Sequence, residues 1–311
     1  MNLPFRPSLD TPVKSPIDPL ARPWLQSAAL HLGLSAAEAK NFANCGLLQL
    51  PGLAIQLQPW RDAPQPQWLA LGLLSRPNDV SPLLWNELLL RSNCAMSAIS
   101  TCAAAIDEQG QGLLVNRLSM QAYSDTEQLG EALAVLIALA ESLIAGATAL
   151  STRPTHSETL AEPPSTPTRP ASGKDAIAHS WHRSFLVQAL QHLGNTTPAQ
   201  TIDTIGVIRI GKQSLEIIAD GNERHLLIST AINSPLHSSS QRTLALRANL
   251  ELMTLTGCAV ALAPHGACLQ ARWDSKGLDG IALGDWLGDF AQLAGAMGSR
   301  PAPSSVTRSR L

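Results

Sequence analysis

Apolar positions along the chain change period several times, and each change marks an element. In Trp24–Gly33, WLQSAALHLG, they recur at helical spacing, and Gly33 supplies the left-handed stop that commonly ends a helix. Ser35–Phe42 reads as a second short helical piece. From Gly46 the period shortens. Gly46–Leu50 is a short apolar strand, Leu53–Gln58 alternates aliphatic with other residues, and Trp68–Leu74 is a more continuous apolar strand. Pro77–Ser81 is a loop whose Ser81 is placed to cap the helix Leu83–Arg91, with Pro82 at its first position. Ala95–Ile106 and Leu113–Gln121 then read as strands joined by the polar, glycine-bearing Asp107–Gly112. A last helix opens at Ser124-Asp125-Thr126-Glu127, which has capping-box spacing. Its most apolar stretch, Leu129–Ile144, is interrupted by Glu131 and Glu141 and is too short to span a bilayer.

The same order then recurs. A helix over Ile177–Leu193 precedes strands at Gly206–Ile210, Ser214–Ala219 and His225–Ile232, the last two separated by the turn Asp220-Gly221-Asn222. The helix Arg242–Leu255 ends at Gly257; strands Cys258–Ala263 and Ala267–Trp273 flank the turn Pro264-His265-Gly266; the final helix is Asp279–Met297, with Asp279 as its N-cap. The likeness extends to letters, since Phe185–Gly194 reads FLVQALQHLG against WLQSAALHLG. The pattern predicts an α+β protein of two tandem α-β-β-β-α-β-β-α modules. Each should be an antiparallel sheet with helices packed on one face, and the pair should form an intramolecular pseudo-dimer. The expected division is a disordered arm at 1–22, a first module at 23–149, a Pro/Ser/Thr-rich linker at 150–175, a second module at 176–297 and a flexible tail at 298–311.

Charge and cysteine usage narrow the function by exclusion. The formal net charge is −2, so no general field draws the chain to nucleic acid or to an anionic membrane. The five cysteines form no Cys-x-x-Cys and lie in apolar segments, which suits small buried thiols in a reducing cytoplasm. The N-terminus has no apolar run and does not read as a secretory signal.

Several motifs have a functional and a bland reading. Gly206-Val-Ile-Arg-Ile-Gly211-Lys212-Gln213 spells most of a phosphate loop, but its interior is a strand and a Gln follows the lysine where a Ser or Thr must hold magnesium. His31 and His192 occupy matching helix ends, where a partly charged ring favours the helix C-terminus; an acid/base role would need a partner that the pattern does not offer. Cys258 and Cys268 read as facing each other across a hairpin without a second ligand pair for zinc. No catalytic, cofactor or metal site is expected. Seven tryptophans against one tyrosine are more informative. Trp60, Trp68 and Trp273 are candidates for a partner-facing patch, with burial in the core as the plainer reading.

The repeated helix ending in Leu-Gly (Leu32-Gly33, Leu193-Gly194), the Gly-apolar strand, the Leu-rich central helix, the hairpin and the closing apolar helix together resemble the CesT/Tir chaperone family. These are the class I chaperones of type III secretion effectors. Members are usually small acidic homodimers, whereas this chain is tandem and close to neutral. The resemblance implies a non-enzymatic cytoplasmic chaperone that binds the N-terminal segment of a secreted effector in extended form. It implies a monomer acting as a pseudo-dimer, with the modules meeting through Leu84, Leu88, Leu246, Leu250 and Met253 of the central helices. A structural or regulatory adaptor of similar fold, of the YbjN type and without secretion cargo, is the alternative.

Overall fold

The computed structural model describes residues 17–60, 67–119, 126–151, 181–195, 206–219, 224–234 and 236–298. The first module contains α1 (Arg22–His31), α2 (Ala36–Cys45), β1 (Leu47–Leu50), β2 (Leu53–Trp60), β3 (Gln67–Leu74), α3 (Pro82–Ile99), β4 (Cys102–Ile106), β5 (Gly112–Ser119) and α4 (Thr126–Ser151). The second contains α5 (His182–His192), β6 (Val207–Ile210), β7 (Gln213–Ala219), β8 (His225–Ala231), α6 (Ser239–Thr256), β9 (Cys258–Ala263), β10 (Gly266–Asp274) and α7 (Gly280–Gly298). Each module has one five-stranded antiparallel sheet, ordered β1-β2-β3-β5-β4 and β6-β7-β8-β10-β9. This is the α+β, two-module architecture that the alternating periods predict.

Local chemistry explains most boundaries. Ser35 accepts the Glu38 amide while Glu38 reaches back to the Ser35 amide, closing a capping box at α2. Ser81 accepts the Leu84 amide with Pro82 at the first turn of α3, and Asp279 accepts the Ala282 amide at α7. The glycine before the first strand has the same task in both modules. Gly46 and Gly206 adopt φ of 67° and 60°, and their carbonyls accept the amides of Leu57 and Ile217. A Cβ at Gly46 would lie 2.9 Å from the Leu57 carbonyl oxygen.

Three expectations need correction. Residues Ala95–Ile99 belong to helix α3, and the strand begins only at Cys102. The apolar run there fits either period, and the helix wins because it turns Leu89, Leu90, Asn93 and Met96 inward. Helix α4 has 26 residues, so length does not exclude a membrane span: Glu127–Ser151 passes on length and on a mean hydropathy of 2.1. One stripe of it, Leu129, Leu133, Leu136, Ala140, Leu143 and Ala147, is buried against its own module. Cys258 and Cys268 are not cross-strand partners, because Cys258 lies opposite Ala271 and Cys268 opposite Ala261. The capping box at Ser124, the turn Asp220–Asn222, and most of the arm, the linker and the tail lie outside the described residues.

Within a module the helices cover one face of the sheet, as expected. The opposite face is covered by the central helix of the other module. Helix α3 packs on β9 and β10, α6 packs on β4 and β5, and the two helices touch each other. Covering both faces explains why β4, Cys-Ala-Ala-Ala-Ile, is buried at every position. Its alanines leave room for the crossing helix.

Candidate functional site

Two asparagines organise the centre of the junction. Asn93 of α3 accepts the Ala104 amide at 2.6 Å and donates to the Ala104 carbonyl at 3.2 Å, closing the outward edge of β4. Asn249 of α6 does the same at β9, accepting the Val260 amide at 2.7 Å and donating to its carbonyl at 3.0 Å. Each then crosses over: Asn93 donates to Val260 at 3.0 Å and Asn249 to Ala104 at 3.1 Å. Both side chains are buried, and both are fully satisfied by backbone groups that a sheet edge would otherwise leave open. Asn86 donates to Thr243 across the same junction, and Glu87 pairs with Arg242 at 2.6 Å. Burial raises the Glu87 pKa, but hydrogen bonds and charge from Arg91 and Arg242 outweigh it and hold the carboxyl below its ordinary value.

The apolar residues expected at the junction sit around this pair. Leu250 and Met253 pack on the outer face of sheet one with Leu71, Ala103, Ala105, Leu113 and Val115. Leu246 is fully buried in the main core, and Leu84 and Leu88 are half-buried against it. The asparagines escaped the sequence reading. Their signal is nevertheless present, since Asn stands nine residues before Cys in both modules, Asn93 to Cys102 and Asn249 to Cys258.

The candidate tryptophans are placed differently. Trp68 is buried against Trp24, with ring centroids 5.8 Å apart, and Trp273 is buried against Phe185, with centroids 6.1 Å apart. These two rings fill the cores and leave almost no surface for a partner. They occupy opposite ends of equivalent cross-strand pairs, Trp68–Leu118 in β3/β5 and Leu226–Trp273 in β8/β10, so the large ring changes strand while the core volume is kept. Trp60 is in strand β2; its side chain is outside the described residues. The matched histidines end α1 and α5, and each ring lies over a glycine of its module's last helix, Gly130 and Gly284. His192 also meets Asp285 at 2.7 Å. Gly206–Gln213 forms β6 and its turn into β7, not a loop entering a helix.

With β4 and β9 closed in the junction, β1 and β6 are the outer edges, unpaired with any further described strand. Beside β1 lies a cleft of about 290 Å³ between the α1–α2 turn, the β1–β2 hairpin and α4. Leu32, Leu34, Leu48, Leu50, Pro51 and Leu53 form one wall; Ile137, Ala140 and Ile144 form the other, with Glu141 at the mouth. Among the described residues, the second module replaces several of these lining side chains. Counting from the glycine beneath the histidine, Ile137, Glu141 and Ile144 correspond to Ala291, Gly295 and Gly298. Leu53 corresponds to Gln213, whose amide lies over Gly295. The chemistry available is therefore apolar and one-sided: a groove for aliphatic side chains next to an open strand edge.

Comparison with curated proteins gives no match. The family described as Tir chaperone protein (CesT) matches twice, over residues 24–144 and 184–297, and the chain belongs to that family, carrying its unit in tandem.

Proposed function

We propose that this chain is a cytoplasmic chaperone of a type III secretion system and that its two modules act as a pseudo-dimer within one polypeptide. The N-terminal segment of an effector is held in extended form, which keeps it secretion-competent. The observation that carries this reading, beyond family membership, is the apolar cleft beside the open β1 edge. Backbone amides and carbonyls of β1 would pair with the effector segment, and alternate side chains of that segment would enter between Leu50 and Ile144. Burying one aliphatic side chain there contributes about 1.5–3 kcal/mol. The cleft sits on one module, so cargo enters asymmetrically.

The test is co-purification from the native cell with the wild-type chain and with Ile144→Asp. A carboxylate in the cleft opposes apolar cargo while leaving the buried stripe of α4 intact. The expected result is a secreted protein bound through its N-terminal segment to the wild type and lost from the variant, which still unfolds cooperatively on heating. Retention by both, or a partner that is not secreted, would overturn the reading; the latter would favour an adaptor.

A further inference from the structure

The junction has two halves related by the module repeat, and they have diverged in chemistry. In one half Leu250 and Met253 of α6 meet Leu113 and Val115 of β5. The equivalent positions in the other half are Cys94 and Ser97 of α3 against Cys268 and Gln270 of β10. Cys94 packs on Cys268 together with Ala261 and Ala263, and Ser97 donates to Gln270 at 2.8 Å. Leucines fill this volume adequately in one half, so packing alone does not call for two thiols in the other.

We propose that Cys94 and Cys268 form a redox-responsive thiol pair, which a low-molecular-weight disulfide oxidises to a covalent bond between the two modules. The pair is asymmetric in the way exchange requires. Cys94 is partly exposed, and its thiol is pulled down to about 7, first by the neighbouring Cys268 thiol and then by Gln270 and the charge of Arg91, against burial. Cys268 is 3% exposed, and its thiol is pushed up, first by the contact with Cys94 and then by burial. Cys102 and Cys258, raised by burial to about 12 and about 11, are protected from the same reaction. Cys94 thiolate attacks one sulfur of the oxidant, forming a mixed disulfide and releasing one thiolate. Cys268 gives up its proton to solvent, its sulfur attacks that of Cys94, and the second thiol leaves. Two protein thiols lose two electrons and two protons, and the oxidant's sulfur–sulfur bond takes up both electrons. The product pins α3 to β10 and seals one half of the junction.

The experiment treats the reduced full-length chain with glutathione disulfide near neutral pH and maps non-reduced peptides by mass. A peptide pair linked through Cys94 and Cys268 is expected, formed faster than glutathione adds to exposed Cys45. In Cys268→Ser the reaction should stop with glutathione on Cys94. The oxidised wild type should unfold at higher urea than the reduced form, reversibly with dithiothreitol. A wild type that retains glutathione on Cys94 without the link, or a Cys94 no faster than Cys45, overturns the pair. A formed bond with an unchanged urea midpoint overturns the seal. Neither readout requires cargo, so this inference stands or falls separately from the proposed function.

Discussion

Replacing the two junction asparagines singly and together should reveal strong coupling. In Asn249→Ala three hydrogen bonds disappear, but their loss is unequal. The carbonyls of Ala104 and Val260 each keep a donor from Asn93, while the Val260 amide keeps none from this pair. One orphaned buried donor costs about 1–3 kcal/mol, and the other lost bonds add about 1 kcal/mol each at most. The expected loss is therefore about 3 kcal/mol, and Asn93→Ala should match it by exposing the Ala104 amide. The double variant removes both asparagine forks, leaving the amides and carbonyls of Ala104 and Val260 without side-chain partners from this pair. It should lose more than the sum of the singles, by about 1–3 kcal/mol, because the carbonyls spared in each single are now bare. Urea unfolding analysed by linear extrapolation measures all three values. Additivity within about 0.5 kcal/mol, or a single loss below about 1 kcal/mol, would refute this account of the junction. Asn249→Asp supplies a second arm. A carboxylate there faces two carbonyl oxygens, so its folded pKa must rise; the folded state then holds the proton more tightly, and the variant should recover stability as pH is lowered.

Met253→Glu buries an uncompensated carboxylate against sheet one and should cost several kcal/mol; Leu250→Glu and Leu88→Glu, at half-buried positions, should cost less, in thermal unfolding. Gly284→Ala places a Cβ 3.0 Å from the Ala189 carbonyl oxygen and should destabilise the α5–α7 contact by about 1–3 kcal/mol, whereas Gly288→Ala, with 3.5 Å to its nearest neighbour, should be neutral or stabilising through helix propensity. Glu87→Gln removes the ion pair with Arg242 and should cost about 1 kcal/mol at neutral pH. The Glu87 pKa is depressed in the folded state, so this contribution is present above the ordinary glutamate value of 4.5 and fades as pH falls through the lower folded value, where wild type and variant should converge. Limited proteolysis should cut first within residues 150–175, and light scattering should show a monomer whose nicked halves stay together; a first cut inside either module, or halves that part on sizing, would contradict the proposed boundaries.

Element order was legible because turns and caps are written locally. Ser81-Pro82, Asp279, Gly46 and Gly206 each announce a boundary through the chemistry of a few neighbouring residues. What stayed hidden was set by packing between modules. Ala95–Ile99 reads as strand because a short run of small and apolar residues satisfies both periods, and only the crossing of α3 over sheet two decides between them. A helix-interior Asn among leucines breaks a local rule twice, at Asn93 and Asn249, and such a break marks a site with a tertiary reason. Trp68 and Trp273 stand out by composition, yet their exposure depends on which face of β3 and β10 turns inward. The cleft is invisible in either half alone; it appears when α4 is set in register with β1 and compared with α7 and β6.

Fusion has a physical consequence beyond holding two copies together. In a homodimer every substitution appears at both symmetry-related positions, so a thiol in place of Leu250 would enter both halves of the junction. In one chain the halves vary independently. Some features have stayed in duplicate: the asparagine forks at the junction and, within each module, the histidine over glycine. Other positions have diverged. One half-junction carries Cys94 and Cys268 where the other carries Leu250 and Leu113, and one outer edge has an aliphatic cleft where the other has Ala291, Gly295 and Gln213. Loss of the second cleft removes little from the core, because Leu287, Phe290 and Ala294 still bury the inner stripe of α7. On the proposed function, the second module braces the first, with its central helix spread across sheet one, and leaves the open edge at β1 for cargo.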